Sequence, residues 1–407
     1  MQARHTLGEP RLLISRSALL HNARLIRRAI GEHVRICAIL KADAYGHGAA
    51  IVADTLCNLS ADGSDRAAVD AVAVASIDEA LALPDIAAQV IIFRPLENVF
   101  IGRQRAKVEQ AVRNGFTFTV CTTTAAEDLS RIAVACGKRV AVQVMIDTGM
   151  TRDGVELERL DDLLIRIGSR PSLRLVGLCT HFANADDPRD LFTAAQLARF
   201  REATDPIALA MPGKLLRHAA NSAGLYFHPA SHLDMVRPGI ALYGIDPTFR
   251  PSMDRTLRPA MKWTAPLVSI RAISKGTSVG YAHTWTALRD TRIGLVPVGY
   301  ADGYLRQFSN RAVVMVGGKP APVVGRVSMD LITINLEHHP HANIGDEVTL
   351  LDSDPLSPAS VYRLAQIADT LPYEIFCRIG PRVARVAVDP EQVDPEPREL
   401  DREPVTE

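Results

Sequence analysis

The chain has 407 residues, 47% of them apolar; this is too long for one ordinary domain and ample for two full cores. Basic and acidic residues balance at 46 each, which argues against a nucleic-acid or anionic-membrane partner. No apolar run reaches the length of a membrane span and the N-terminus lacks the apolar centre of a secretory signal; the six scattered cysteines, with no CxxC pair, fit reduced thiols in a cytoplasmic protein.

Residues 11–14 predict a short strand, within an N-terminal segment 1–14 expected to pack on the second domain. A helix follows over 17–30, stopped by Gly31. Residues 34–40 are an apolar run that ends abruptly at Lys41, with helical spacing resuming near His47. A polar linker occupies 62–66. Strands are then predicted at 69–74, 89–93, 116–120, 140–146, 173–179, 215–219 and 233–236. Helices fall between most of them, one opened by the capping box Ser76-Ile77-Asp78-Glu79. Eight strand units in about 210 residues match a (β/α)8 barrel over 15–257. The rival, a doubly wound sheet, lacks support from any GxGxxG or GxxxxGKS/T phosphate loop.

The pattern changes near Arg258. Short Val-, Ile- and Thr-rich segments punctuated by Gly and Pro predict a β-rich domain over 258–388. Its strands are expected at 267–273, 291–298, 312–316, 323–327, 331–336 and 347–352, with one helix over 359–370. The acidic, proline-containing tail 389–407 is expected to be disordered.

A barrel sets the residues after each strand around one mouth. Lys41, Arg152, His181, Asn221, Ser222 and Arg237 all follow predicted strand ends. A lysine at such a position loses solvent, which lowers its pKa and frees an amine able to form a Schiff base. On position alone, a lysine whose stem covers the strand end accounts for Lys41 as well; the coincidence of several polar residues at one edge favours the reactive reading. His338-His339-Pro340-His341 has no nearby carboxylate pattern beyond Glu337 and is read as an exposed loop, not a metal site.

The motifs together resemble alanine racemase of the fold-type III pyridoxal-phosphate class. They are Ala38-Ile39-Leu40-Lys41-Ala42-Asp43-Ala44-Tyr45-Gly46-His47-Gly48, Asp147-Thr148-Gly149-Met150, Thr180-His181-Phe182-Ala183, Ala220-Asn221-Ser222, Arg237-Pro238-Gly239-Ile240 and Gly299-Tyr300-Ala301-Asp302-Gly303. Gly325-Arg326-Val327-Ser328-Met329-Asp330 and Tyr373-Glu374 extend the match into the β-rich domain. The resemblance runs from about Arg11 to Val388 and implies interconversion of L- and D-alanine. By it, Lys41 carries pyridoxal phosphate and, once released by the substrate amine, acts as a base at Cα. Tyr45, Ser222, Gly239, Ile240 and Tyr373 resemble the phosphate-site residues, with Asn221 beside them. Arg237 resembles the residue that faces the pyridine nitrogen, and His181 its hydrogen-bond neighbour.

Inversion of a stereocentre needs a second acid/base on the opposite face. The resemblance assigns it to Tyr281, lent by the partner in a head-to-tail homodimer, and His181 and Arg237 are candidate sources of the positive charge a phenol needs to give up its proton. Tyr300, Met329 and Asp330 would reach across with it, and Arg152 would meet the substrate carboxylate or the cofactor's phenolic oxygen. Met145 departs from the pattern, because many relatives carry a lysine, often carbamylated, at this place; Arg152 must then be held by another acidic group or an anion. Two other readings fit less well. A basic amino-acid decarboxylase tends to use an acidic partner where this chain has Arg237, and a single-barrel pyridoxal-phosphate carrier needs no β-rich domain.

Overall fold

The structure, a computed structural model, describes residues 8–58, 67–96, 103–252 and 256–388. The polar linker and the tail expected to be disordered lie outside these residues.

Strand β1 (Arg11–Ser15) leads into helix α1 (Arg16–Ile30), whose first turn is capped by the Ser15 side chain. Eight parallel strands follow: β2 (Arg35–Ile39), β3 (Ala71–Val74), β4 (Gln89–Ile92), β5 (Thr117–Val120), β6 (Val140–Met145), β7 (Leu173–Cys179), β8 (Leu216–His218) and β9 (Met235–Val236). They pair in the order β8-β7-β6-β5-β4-β3-β2-β9. The remaining seam is bridged by Asp234 N–H to the Arg217 carbonyl at 3.0 Å and Arg237 N–H to the Ala220 carbonyl at 2.8 Å. The sheet therefore forms a nearly closed eight-stranded barrel, as expected. Its crossovers include α2 (Ala49–Asn58), α3 (Ile77–Ala82), α4 (Arg103–Arg113), α5 (Thr123–Ala135), α6 (Leu160–Gly168), α7 (Phe192–Ala210) and α8 (Ser222–Phe227). The capping box at Ser76 and Glu79 is present in both directions.

The barrel interior is two-sided. Cys37, Ala71, Ala73, Ile91 and Met235 form a small apolar cluster. Thr119, Gln143 and His218, all buried, make the opposite side polar.

The second domain is mostly β. A six-stranded sheet has the order β16-β15-β18-β10-β1-β19, built from β10 (Met261–Pro266), β15 (Val313–Val316), β16 (Lys319–Pro322), β18 (Glu347–Leu351) and β19 (Ala384–Val388) around β1. A second sheet joins β11 (Ser269–Ile273), β14 (Thr291–Val296) and β17 (Ile332–Asn335), and a hairpin pairs β12 (Ser278–Val279) with β13 (Trp285–Thr286). Helices α9 (Val361–Ala368) and α10 (Pro372–Arg378) precede the last strand.

Some expectations need correction. Residues 323–327 do not form the expected strand: Val323 makes a single bridge to Ile334, and the strand lies earlier, at β16. Gly317 and Gly318, both at positive φ, turn β15 back into β16. β16 tolerates Pro320 and Pro322 because it is an edge strand. Helix α7 continues through Pro206 to Ala210. Among the described residues, no helix is long and apolar enough to cross a membrane.

Candidate active site

The carboxyl ends of the barrel strands surround a cavity of about 240 Å³, lined by Lys41, Tyr45, Phe93, Arg152, His181, Asn221, Ser222, Arg237, Gly239, Ile240 and Tyr373, among others. Ten of the residues singled out in the sequence thus open into one space. A larger groove of about 470 Å³, between residues 249–251 and 355–366, holds no lysine or histidine and lies apart from this chemistry.

Lys41 follows β2, whose end is fixed by the buried Tyr243: its hydroxyl donates to the Ile39 carbonyl at 2.7 Å. The segment Lys41–Tyr45 then winds as a short turn that is left-handed at Ala42, Asp43 and Ala44, with φ 53–54° and ψ 48–50°; Tyr45 follows at φ 52°. L-residues avoid this region because Cβ crowds the following carbonyl, so the turn has to be imposed from outside. Glu79 does this. Its Oε2 accepts from the N–H groups of Ala75 and Ser76, capping α3, while Oε1 accepts from Ala42 N–H at 2.9 Å. On the other side, Asp43 Oδ1 accepts from Ala49 N–H at 2.7 Å and Arg385 donates to the Gly46 carbonyl at 3.1 Å. Gly46, at φ 76°, passes so close to α10 that a Cβ would collide with the Phe376 carbonyl.

The Lys41 amine stands at the open mouth of the cavity. Its surface remains accessible, yet surrounding protein displaces enough water to lower its pKa, and the Arg152 and Arg237 charges act in the same direction. Cys377 and Glu79 act in the opposite direction.

Across the cavity, Ser222 is the first residue of α8; the helix cap is Asn221, whose side chain accepts from Gly224 N–H at 2.8 Å. Ser222 Oγ accepts from Gly239 N–H at 3.0 Å and Ala241 N–H at 3.3 Å, which leaves its own proton to donate. Gly239 and Tyr45 are in intimate contact: a Cβ at 239 would collide with the Tyr45 hydroxyl and lie 3.0 Å from Cζ. Burial raises the pKa of Tyr45, and that of Tyr373 to about 12, so both phenols remain donors at neutral pH. Hydroxyls, backbone N–H groups and a glycine at close approach form a cradle suited to a phosphate.

Arg237 is buried in the floor. NH1 donates to His218 Nδ1 at 2.9 Å, and NH2 donates to the Thr180 and Ala219 carbonyls at 2.8 and 3.0 Å. His181 Nδ1 is 3.3 Å from NH2, and the Phe93 ring lies 5.0 Å below the guanidinium. Burial, reinforced by Arg237, Arg152 and Lys41, lowers His181 to about 3, so the ring is neutral. His181 is thus a neighbour of Arg237, but the shorter and more direct partner is His218, which sequence reasoning passed over. Its position at the end of a barrel strand, on the inward face, was the available signal.

Arg152 lines the cavity and is more than half exposed; its nearest carboxylate is Asp153, at 3.6 Å. Met145, the last residue of β6, is buried. Tyr281, Tyr300, Met329 and Asp330 are not brought to this cavity within one protomer. Tyr281 sits just after β12 in the β12–β13 turn and is 71% exposed; Tyr300 and Met329 are 44% and 54% exposed. The loops of Tyr300 and Met329 are bound together by Tyr300 N–H to the Ser328 carbonyl and Ala301 N–H to the Met329 carbonyl, each at 3.0 Å. Arg382 ties the same region by ion pairs to Asp302 at 3.2 Å and Asp330 at 2.9 Å. Among the described residues, no His/Cys/Asp/Glu group has the arrangement of a metal site.

Comparison with known proteins agrees with this geometry. The family model for the alanine racemase N-terminal domain matches residues 14–247, and that for the C-terminal domain matches 260–387. The chain belongs to the alanine racemase family. It is 38% identical to the alanine racemase of Chlorobaculum tepidum over 92% of this chain and 94% of that one. The structure of alanine racemase from Streptomyces coelicolor superposes with a TM-score of 0.81 at 34% identity, covering 93% of this chain and 98% of that one. The enzyme from Bartonella henselae, described with covalently bound pyridoxal phosphate, gives 0.77 at 26% identity over 94% and 100%. Members of the alanine racemase family are pyridoxal-phosphate-dependent isomerases that interconvert the enantiomers of alanine.

Proposed function

We propose that this chain racemises alanine as a head-to-tail homodimer in the cytoplasm, with Lys41 as the base on one face of the substrate and Tyr281 of the partner subunit as the base on the other. The observation that carries this reading is the division of the chemistry: the cavity of one protomer holds Lys41, whose pKa its surroundings lower, while Tyr281 is not among the lining residues and stands exposed outside. Six free cysteines accord with a reducing compartment.

The residues present fit pyridoxal phosphate. The Gly239–Tyr45 approach leaves a cradle that any side chain at 239 would fill. Tyr45, Ser222, Gly239, Ile240 and Tyr373 would hold the phosphate, Asn221 fixing the helix start beneath it. Bound there, the cofactor supplies the electron sink that makes the alanine Cα–H acidic.

The chain's own groups do the rest. The lowered pKa of Lys41 raises the share of free amine, which serves both for attachment and for moving a proton. Arg237 keeps its proton, so it can only donate toward a ring nitrogen and would leave that atom unprotonated. A sink so weakened would favour return of the proton to Cα. Arg152, with Met329, Asp330 and Tyr300 of the partner subunit, would frame the substrate carboxylate and the entrance. With Met145 in place of an anionic side chain, Asp153 is the acidic group that steers Arg152, and only weakly at this exposure.

Racemisation followed separately from L- and D-alanine tests the assignment. Lys41→Ala is expected to lose covalent cofactor and both directions of turnover. Tyr281→Phe is expected to bind cofactor and lose turnover. Normal racemisation by Tyr281→Phe in both directions would overturn the two-base reading.

A further inference from the structure

A file of buried polar side chains crosses the barrel interior, and each link in it has one allowed direction. Thr119 on β5 donates its hydroxyl to the Ile92 carbonyl at 2.8 Å. With that proton committed, Thr119 Oγ1 accepts, and Gln143 Nε2 on β6 donates to it at 2.8 Å. The amide is thereby oriented: its oxygen faces the other way, 3.0 Å from His218 Nε2 on β8. An amide oxygen only accepts, so the imidazole proton resides on Nε2. Nδ1 is left as a lone pair, and Arg237 NH1 donates to it at 2.9 Å. Thr119, Gln143, His218 and Arg237 are all 2% exposed or less, so water does not substitute for a lost partner.

We propose that Gln143 is a positioning residue: with Thr119 it holds neutral His218 in the Nε2–H form, and so fixes the pose in which Arg237 presents its remaining N–H groups to the cavity. The opposite tautomer would set an N–H of His218 against an N–H of Arg237, leaving both donors buried without acceptors. A flipped Gln143 amide would do the same one step earlier, against His218 Nε2–H and with its oxygen facing the Thr119 lone pairs. Gln143 does not line the cavity, so its influence reaches the reaction only through His218 and Arg237. The consequence for turnover rests on the reading of Arg237 given above; the tautomer does not.

Histidine ¹⁵N spectra of the holoenzyme test this directly, with the His218 signals identified by their loss in His218→Gln. The expected pattern is a protonated Nε2 and an unprotonated Nδ1 in the unaltered protein. Gln143→Met, which keeps the volume and removes both hydrogen bonds, is expected to populate the Nδ1–H form. It is also expected to lower kcat about tenfold, the scale of one aligned hydrogen bond, with KM for alanine unchanged. Thr119→Val, one link further from the cavity, is expected to give the same tautomer mixing with a smaller loss. A protonated Nδ1 in the unaltered protein overturns the proposal, as does a tautomer that both variants leave unchanged. Should Gln143→Met fail to fold, the unaltered protein and Thr119→Val still decide. If the tautomer is as expected but Lys41→Ala retains activity, the functional reading fails and this inference stands.

Discussion

Replacing Glu79 removes the support on which the placement of Lys41 depends. One carboxylate oxygen caps α3 and the other holds Ala42 N–H, the first amide of the left-handed run. Four L-residues in that conformation cost about 1–2 kcal/mol each, roughly 4–8 kcal/mol in sum. Glu79→Ala forfeits a helix cap worth about 1 kcal/mol and a charge-assisted hydrogen bond. The bond is half-exposed, so about 1.5 kcal/mol, the low end of the range, applies. The total, about 2.5 kcal/mol, corresponds to a fall in Tm of about 5 °C for a chain of this size. The turn next to Lys41 is expected to relax, so kcat/KM should fall by at least about tenfold, a displacement effect on a reacting group. Thermal melts by circular dichroism and a coupled assay for D-alanine formation read both quantities. A Glu79→Ala protein that melts and turns over like the unaltered one would refute the claim that this carboxylate holds the turn.

The other expectations follow from equally local features. Gly239→Ala forces a methyl against the Tyr45 hydroxyl, and Tyr45 has little room beside Tyr243 and Tyr373, at ring distances of 5.0 and 5.5 Å; a stability loss of about 2 kcal/mol and weaker cofactor retention on dialysis are expected. Burial holds His47 at about 4 against an ordinary value of 6.5, so the unfolded chain binds the extra proton between those pH values. Stability should therefore fall as pH drops through that window, by about 3 kcal/mol from this group alone. Urea midpoints at pH 7 and pH 5 should differ less in His47→Asn than in the unaltered protein; equal differences would remove His47 from the account. Lys41→Ala and Tyr281→Phe chains, unfolded and refolded together in equal amounts, should regain about a quarter of full activity, because half the dimers are mixed and each mixed dimer has one intact site. No recovery in a refolded, dimeric mixture would show that the two residues act within one chain.

Much of the barrel was legible because its strands are buried on both faces and read as unbroken apolar runs, and because Ser76 and Glu79 announce a helix start by their spacing. The second domain was less so. Residues 261–266 and 384–388 form strands by flanking β1, more than two hundred residues earlier in the chain, a relation that local pattern does not carry. The hairpin at Gly317-Gly318 was readable from its turn chemistry, but the two prolines after it disguised an edge strand. Pro372 at the first position of α10 was likewise a missed helix signal. In the site, the residues that open into the cavity were found by their places after strand ends. The left-handed turn was not, since Ala42, Asp43 and Ala44 have no intrinsic preference for it and take it from Glu79, Asp43 and Arg385. His218 was lost because its importance lies in what Gln143 and Arg237 do to it.

The first strand belongs to the second domain's sheet. β1 lies between β10 and β19, antiparallel to one and parallel to the other, and α1 leaves from its end toward the barrel. The barrel is thus an insertion threaded between two neighbours of a single sheet. Severing the chain near residue 257 would strand β1 on the wrong fragment and leave β10 and the edge strand β19 without their shared partner on the other, so neither piece should be stable by itself. The two fragments should be soluble only when produced together, and heating the intact chain should not release the barrel ahead of its partner.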